Sequence, residues 1–482
     1  MKLIYLCILS LITGYNCLAQ NTTPAKTVDA FKNEAAKNIQ SGYDQYKKIA
    51  LNIWDYAEVG FKETKSSLLL QNTLKDNGFN VEAGVAGMPT AFVATFGTGK
   101  PIIGILAEFD ALPGLSQDST ASQTPIANKN SGHGCGHNLF GTGSVAAGIA
   151  IKKLMDEGKI KGTIKVYGCP AEEGGAGKVY MVREGLFNNV DVVLHWHPAD
   201  ENLVTYTSAL ANKSAKFRFH GIAAHASMAP EKGRSALDAV EGMDYMVNMM
   251  REHIPQESRI HYIITHGGTA PNIVPDFAEV YYYVRNPDRS NVEDIFKRVV
   301  KAAEGAALGT ETKMEYEVIH GVHDLLINKT LAVNMQSNLE KVGGVTYTPD
   351  EIIFARKLQT SFLGTVPSLD SASFIKPLHT QNNLGSTDVG DVSYVVPTVG
   401  IEIATWVPGT PAHSWQAVAC GGTDIGMKGM IVAAKTIAYT AIDLFLTPAL
   451  IKKAKDEFTI SKGDYQYKAL LGDRKPALHY RD

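Results

Sequence analysis

Residues 101–110 read PIIGILAEFD. The run is almost continuously apolar until Glu108 and Asp110, and Leu-Pro-Gly follows it. A short run of this kind, bounded by turn residues, reads as a strand covered on both faces, as the strands of parallel sheets are. It therefore predicts an α/β fold and leaves two carboxylates at the strand's C-terminal end. Its neighbours repeat the pattern. TAFVATF (90–96), GTIKVYGCP (162–170) and VDVVLHWHP (190–198) read as strands, with helical LFGTGSVAAGIAIKKLMDEG (139–158) and AGKVYMVREGLF (176–187) between them. Alternating buried strands and helices indicate a mostly parallel central sheet. Upstream, Val28 to Phe61 reads as one helix and ETKSSLLLQNTLKDNGF (63–79) as a second, stopped at Gly78.

The pattern changes after Ala211. SAKFRFHGI, SALDAVEGMDYMVNMMREHI, RIHYIITHGG, FAEVYYYVRNPD, VEDIFKRVVKAAEGAALG and KMEYEVIHG follow one another as β-α-β-β-α-β, the split unit of ferredoxin-like folds. This unit is expected as an inserted lid domain over 212–321. Catalytic parts flank it at 20–211 and 322–451, the second marked by strand TVGIEIATW and helix GTDIGMKGMIVAAKTIAYTAIDLF. Residues 452–482 form a charged tail with several tyrosines, expected as a surface wrap.

With 482 residues, the chain is too long for one ordinary core. A formal net charge of −3 lacks the basic field that nucleic acid requires, so nucleic acid is not an expected partner. Residues 1–19, MKLIYLCILSLITGYNCLA, have one lysine, an apolar run and small residues at the end. That is the layout of a secretory signal, and the expectation is an exported, periplasmic protein with no membrane span. Beyond that segment three cysteines remain, Cys135, Cys169 and Cys420, an odd and widely spaced set that makes no disulfide framework. Cys169, within a strand, reads as a buried core thiol. Cys135 needs another explanation, and metal ligation is the leading one.

The residues able to hold metal fall after successive strands: Glu108 and Asp110, then GHGCGHN (132–138), CPAEEGG (169–175), LHWHP (194–198) and GTPAHSWQ (409–416). In open parallel sheets ligands bind at that edge. Imidazole, carboxylate and thiolate suit zinc, with manganese or cobalt as alternatives. Of the adjacent carboxylates Glu172 and Glu173, one can ligate while the other stays free as a general base. His133 reads as a loop hydrogen-bonder, His195 competes with His197 as a ligand, and Asp388 and Asp391 in GSTDVGD fit either a turn and helix cap or the chemistry.

EFDALPG, GHGCGHN, CPAEEGGAGK, WHP, GIAAHAS, GGTAPNIVPD and HSW, in this order over residues 40–450, resemble the M20 metallopeptidases, in particular the amidohydrolase branch. The resemblance implies a dinuclear centre of two divalent ions and a lid that dimerises, making a homodimer. It also implies that Cys135, His137, Glu173, His197 and His413 ligate metal, that Glu172 is the general base, and that Asp110 orients a ligand. Glu108 stands where many members have histidine, and it reads as a supporting carboxylate or a direct ligand. His225 matches a lid histidine that reaches the partner's active site and holds the oxyanion. Asn272 matches a lid asparagine near the substrate carboxylate, and Arg285 is a candidate either for that carboxylate or for a salt bridge within the lid sheet. The expected activity is hydrolysis of small N-acyl amino acids or dipeptides with a free carboxylate, with p-aminobenzoyl-glutamate the favourite by resemblance. Two alternatives remain: a deacylase of a non-peptide amide, and a metal-stabilised binding protein without catalysis.

Overall fold

The computed structural model describes residues 24–379 and 384–481, so the expected signal segment lies outside the described residues. The strands that position the site are β1 (Asn80–Ala83), β2 (Phe92–Gly97), β3 (Ile102–Glu108), β4 (Thr163–Cys169), β5 (Val192–Ala199), β6 (Leu203–Val204), β7 (Ala211–His220), β8 (Arg259–His266), β9 (Phe277–Asn286), β10 (Lys313–Val322) and β11 (Thr398–Ala404). β1 to β6 and β11 form one sheet in the order β1-β2-β4-β3-β5-β11-β6. The apolar run at 101–110 supplies β3, at its middle.

The sheet is parallel only in its centre. β4, β3, β5 and β11 run parallel, whereas β1, β2 and β6 join antiparallel at the margins. The sheet is mostly parallel as expected, and its antiparallel margins make it mixed; chain length gives the reason for them. The connections from β1 to β2 and from β5 to β6 are too short for a crossover, so each pair of segments can only fold back. The central register runs from Ile102↔Thr163 to Glu108↔Cys169 and from Thr398↔Val193 to Ala404↔Ala199, which brings the four C-terminal ends to one edge.

Behind that edge lies the helix His137–Asp156, buried without interruption from His137 to Ile151. Its small residues let it press on the sheet: a Cβ at Gly141 would lie 2.7 Å from the Glu108 carbonyl oxygen. It packs against the helix Asp424–Leu446, which is long and apolar enough to cross a membrane by length and composition. The apolar window of that second helix is 78% buried inside the fold, which makes it a core helix. The helix expected from Val28 to Phe61 is instead two, Ala25–Ser41 and Tyr43–Tyr56, broken at Gly42.

β7 to β10 form a separate antiparallel sheet in the order β8-β9-β7-β10. Helices Ala236–Met250 and Arg289–Gly309 cover one face, burying Phe217, Val280, Tyr282 and Phe296 in a core of their own. Ser235 and Asp288 cap these helices by accepting from the backbone N–H groups of Asp238 and Ser290. The β-α-β-β-α-β order read from the sequence is thus the observed one.

The tail is more than a surface wrap. After helix Pro448–Lys462 the chain buries Leu470 and Leu471 in the fold, and Tyr467 donates to Asp391 Oδ1 at 2.7 Å.

Candidate metal centre

The four parallel strands each deliver a part of the site. Glu108 ends β3, with Asp110 just beyond; Glu172 and Glu173 follow β4; His195 and His197 lie near the end of β5; His413 follows β11. Cys135 and His137 come from the glycine-rich loop at the start of helix His137–Asp156. Gly136 turns that loop with φ 73°, and a Cβ there would lie 2.7 Å from Pro198, so a side chain fails on both counts.

Single donor atoms of Cys135, His137 and His197 lie within 4.8 Å of one another, as do those of Cys135, Glu173 and His413, and those of Glu108, His137 and Glu172. These overlapping groups contain all five residues expected as ligands, together with Glu108 and Glu172. Orientation agrees. His137 Nδ1 is 3.0 Å from Asp110 Oδ1 and His197 Nδ1 is 2.7 Å from the Pro198 carbonyl oxygen, so each ring is held through Nδ1 and turns Nε2 to the centre. That arrangement is typical of metal-bound histidine. Asp110 also accepts from the Glu173 backbone N–H at 2.9 Å, so one carboxylate fixes two donors.

Several polar atoms here are buried with no hydrogen-bond partner among the described residues: Glu108 Oε2, His137 Nε2, Glu173 Oε1 and His195 Nε2. Glu108 Oε2 and His137 Nε2 lie 3.1 Å apart and Glu173 Oε1 lies 3.4 Å from His413 Nε2, so these groups face one another without hydrogen-bond geometry, an arrangement a cation between them would satisfy. The electrostatics point the same way. Burial and then the Glu173 carboxylate push the Cys135 thiol well above its usual range. Burial, then Glu108, Glu173 and Asp388, do the same to the Glu172 carboxyl, with Lys178 opposing them. A divalent ion would reverse both. The donor set therefore fits a divalent metal, and Cys135 and His137, each shared by two groups, link the groups into one cluster.

The donors line a cavity of about 660 Å³ whose far wall is the lid. Arg285 reaches this cavity from β9, and its Nε is buried without a partner. His225 and Asn272 do not reach it. Both are exposed on the lid, where the backbone N–H of Ala226 donates to the Asn272 carbonyl and His225 bridges Ile273. His133 is a loop hydrogen-bonder, 3.0 Å from the Ile53 carbonyl oxygen, and Cys169 is a fully buried thiol. His195 lines the cavity outside the three donor groups.

Sequence reasoning missed Lys178. Its ammonium is buried between Glu108 Oε1 and Asp388 Oδ1, 2.6 Å from each. Asp388 precedes the short helix Val389–Ser393 but makes no side-chain cap bond, so it is Lys178's partner and not a cap. A lysine after AEEGGAG carries no signal by itself.

Comparison with known proteins establishes the family and the fold. A model of the peptidase dimerisation domain matches residues 211–311. The chain is 42% identical over 446 residues to one of the p-aminobenzoyl-glutamate hydrolase chains of Escherichia coli, covering 87% of this chain and 93% of that one. It belongs to the M20 peptidase family. A mouse Xaa-Arg dipeptidase is 29% identical over 452 residues, covering 91% of this chain and 94% of the relative. Among solved structures, a dinuclear metal-binding M20 peptidase from Bacillus subtilis superposes with a TM-score of 0.56 at 16% identity, covering 84% of this chain and 99% of that one. This M20 chain is a hydrolytic enzyme with the family's fold.

Proposed function

We propose that the protein is a metal-dependent amidohydrolase that cleaves small N-acyl amino acids or dipeptides bearing a free carboxylate, with substrates like p-aminobenzoyl-glutamate as the favoured class. The observation that carries the reading is the convergence of the thiol, imidazole and carboxylate donors of Cys135, His137, Glu173, His197 and His413 in overlapping groups within 4.8 Å, beside a cavity that Arg285 also lines. Cys135, His137, Glu173, His197 and His413 would hold two divalent ions, zinc favoured and manganese or cobalt as alternatives. Bound there, the ions supply Lewis acidity, which lowers the pKa of water and polarises a carbonyl.

The chain's own residues do the rest. Glu172 takes the proton of the attacking water at its carboxylate and passes it to the leaving nitrogen. Asp110 keeps His137 and Glu173 in position. Arg285 takes the substrate carboxylate in a charge-assisted pair. His225 and Asn272, remote from their own cavity, act across a homodimer on the partner's substrate. The reading includes export to the periplasm, which rests on residues 1–19 alone.

The test is hydrolysis of a panel of N-acyl amino acids and dipeptides by metal-reconstituted protein, beside Glu172→Ala. The expected outcome is turnover by the wild type and a loss of about 10²–10⁴-fold in the variant, with bound metal unchanged by elemental analysis. Full metal loading with no turnover of any panel member would sink the reading.

A further inference from the structure

Among the cavity's carboxylates, Glu402 takes no part in the hydrolysis proposed above. Glu402, on β11, stands opposite His197 of β5 in the parallel register, two residues beyond Gly400, which faces His195. A Cβ at Gly400 would lie 2.2 Å from the His195 ring, so side chains at 400 and 402 stand on the face of the two histidines. Glu402 lines the cavity, yet no hydrogen bond ties its side chain to any described residue.

Its charged surroundings are mostly of its own sign. Asp200 and Glu201 are the neighbouring acids, and Asp200 already accepts from the Gly409 N–H at 2.8 Å. Lys376 is nearby but is paired with Glu201. Burial, then Glu201 and Asp200, push the Glu402 carboxyl up to about 7. Glu402 is half-buried, so its carboxylate faces the cavity with acceptor capacity that no described residue uses and a ligand's donor can take. The lid contributes the opposite case to the same cavity: Arg285, with its Nε lacking a hydrogen-bond partner and its guanidinium 5.5 Å from the Tyr283 ring centroid. An acceptor on the sheet wall and a guanidinium on the lid wall together describe a ligand with a donor at one end and a carboxylate at the other.

We infer that Glu402 is a specificity-determining residue that accepts a hydrogen bond from an amine on the acyl part of the substrate, so that aminoaryl and α-aminoacyl groups are preferred. The inference rests on the hydrolytic reading above and assigns the acyl side, as Arg285 assigns the leaving side.

The experiment compares p-aminobenzoyl-glutamate with benzoyl-glutamate, which differ only in the amine, using metal-loaded wild type and the variants Glu402→Gln and Glu402→Ala. The wild type is expected to favour the amino substrate in kcat/KM by roughly 10-fold or more, as for a hydrogen bond to a charged group. Glu402→Gln, which keeps an acceptor oxygen, should retain part of the preference, and Glu402→Ala should bring the ratio close to one. The ratio carries the answer, because a folding defect lowers both rates alike. A wild-type ratio near one, or a preference that survives Glu402→Ala, overturns the inference while leaving the hydrolase intact. Failure to turn over either substrate counts against hydrolysis instead; the same ratio is then read from calorimetric affinities, where a preference that survives Glu402→Ala again overturns it.

Discussion

A buried ammonium holds the acidic side of the centre together. Lys178 is fully buried, and Glu108 and Asp388 beside it are 1% exposed or less at their side chains. Burial alone would lower its pKa, but the flanking Asp388 and Glu108 hold it well above the usual lysine value, so it remains charged. Replacing it with an apolar residue of similar length leaves two buried carboxylates without a counter-ion. Lys178→Met is expected to destabilise the metal-free protein by roughly 3–5 kcal/mol, measured by urea unfolding; a loss under about 1 kcal/mol would show that water or relaxation replaces the pair. Such partnerships are where sequence reading ends. Cys135, His137, Glu172 and Glu173 were legible because several metal-binding residue types crowd into short glycine-rich stretches at strand ends. Lys178 and Asp388 are 210 positions apart, and neither means anything until the topology brings them together.

Among the elements, the turn from Ala171 to Ala176 is the one under most constraint. Ala171 and Ala176 both have φ 55° and Gly174 has φ 88°, so the backbone that presents Glu172 and Glu173 is not helical by its own preference. It is held from both sides. The Glu173 N–H donates to Asp110, and the Glu173 carbonyl accepts from Tyr480 Oη at 2.9 Å and Arg481 Nη2 at 2.7 Å. The segment that began as an expected surface wrap thus ends against the metal loop. Tyr480→Phe combined with Arg481→Ala should weaken metal binding by roughly 10-fold, as loss of groups that orient ligands does elsewhere, measured by competition with a chromophoric chelator. Unchanged affinity would reduce these contacts to packing. The strands themselves were readable because their apolar runs and 2.0 period are local signals. The antiparallel margins and the break at Gly42 were not, since direction and continuity are set by which neighbour each segment meets.

For the whole molecule, the proposed homodimer would give the exposed His225 and Asn272 a role on a second copy. β8 lies at the edge of the lid sheet, and Ile263 and Ile264 on it are 62% and 44% exposed. An apolar edge with unpaired backbone groups is a template for pairing with another strand, and two copies meeting there by a two-fold axis would use the same surface twice. In such a dimer each centre draws Glu172 from one chain and His225 from the other. Complementation separates this arrangement from a lid that acts within its own chain. Glu172→Ala and His225→Ala should each be nearly inactive alone. Unfolded together and refolded in equal amounts, they form mixed dimers with one intact centre, and activity should return to roughly a quarter of wild type. Adding Ile263→Asp and Ile264→Asp to both chains should give monomers by light scattering and remove the recovery. If mixing restores nothing while wild type sediments as a dimer, His225 takes no part in the partner's chemistry, and the oxyanion donor must be sought among the residues that line the cavity itself.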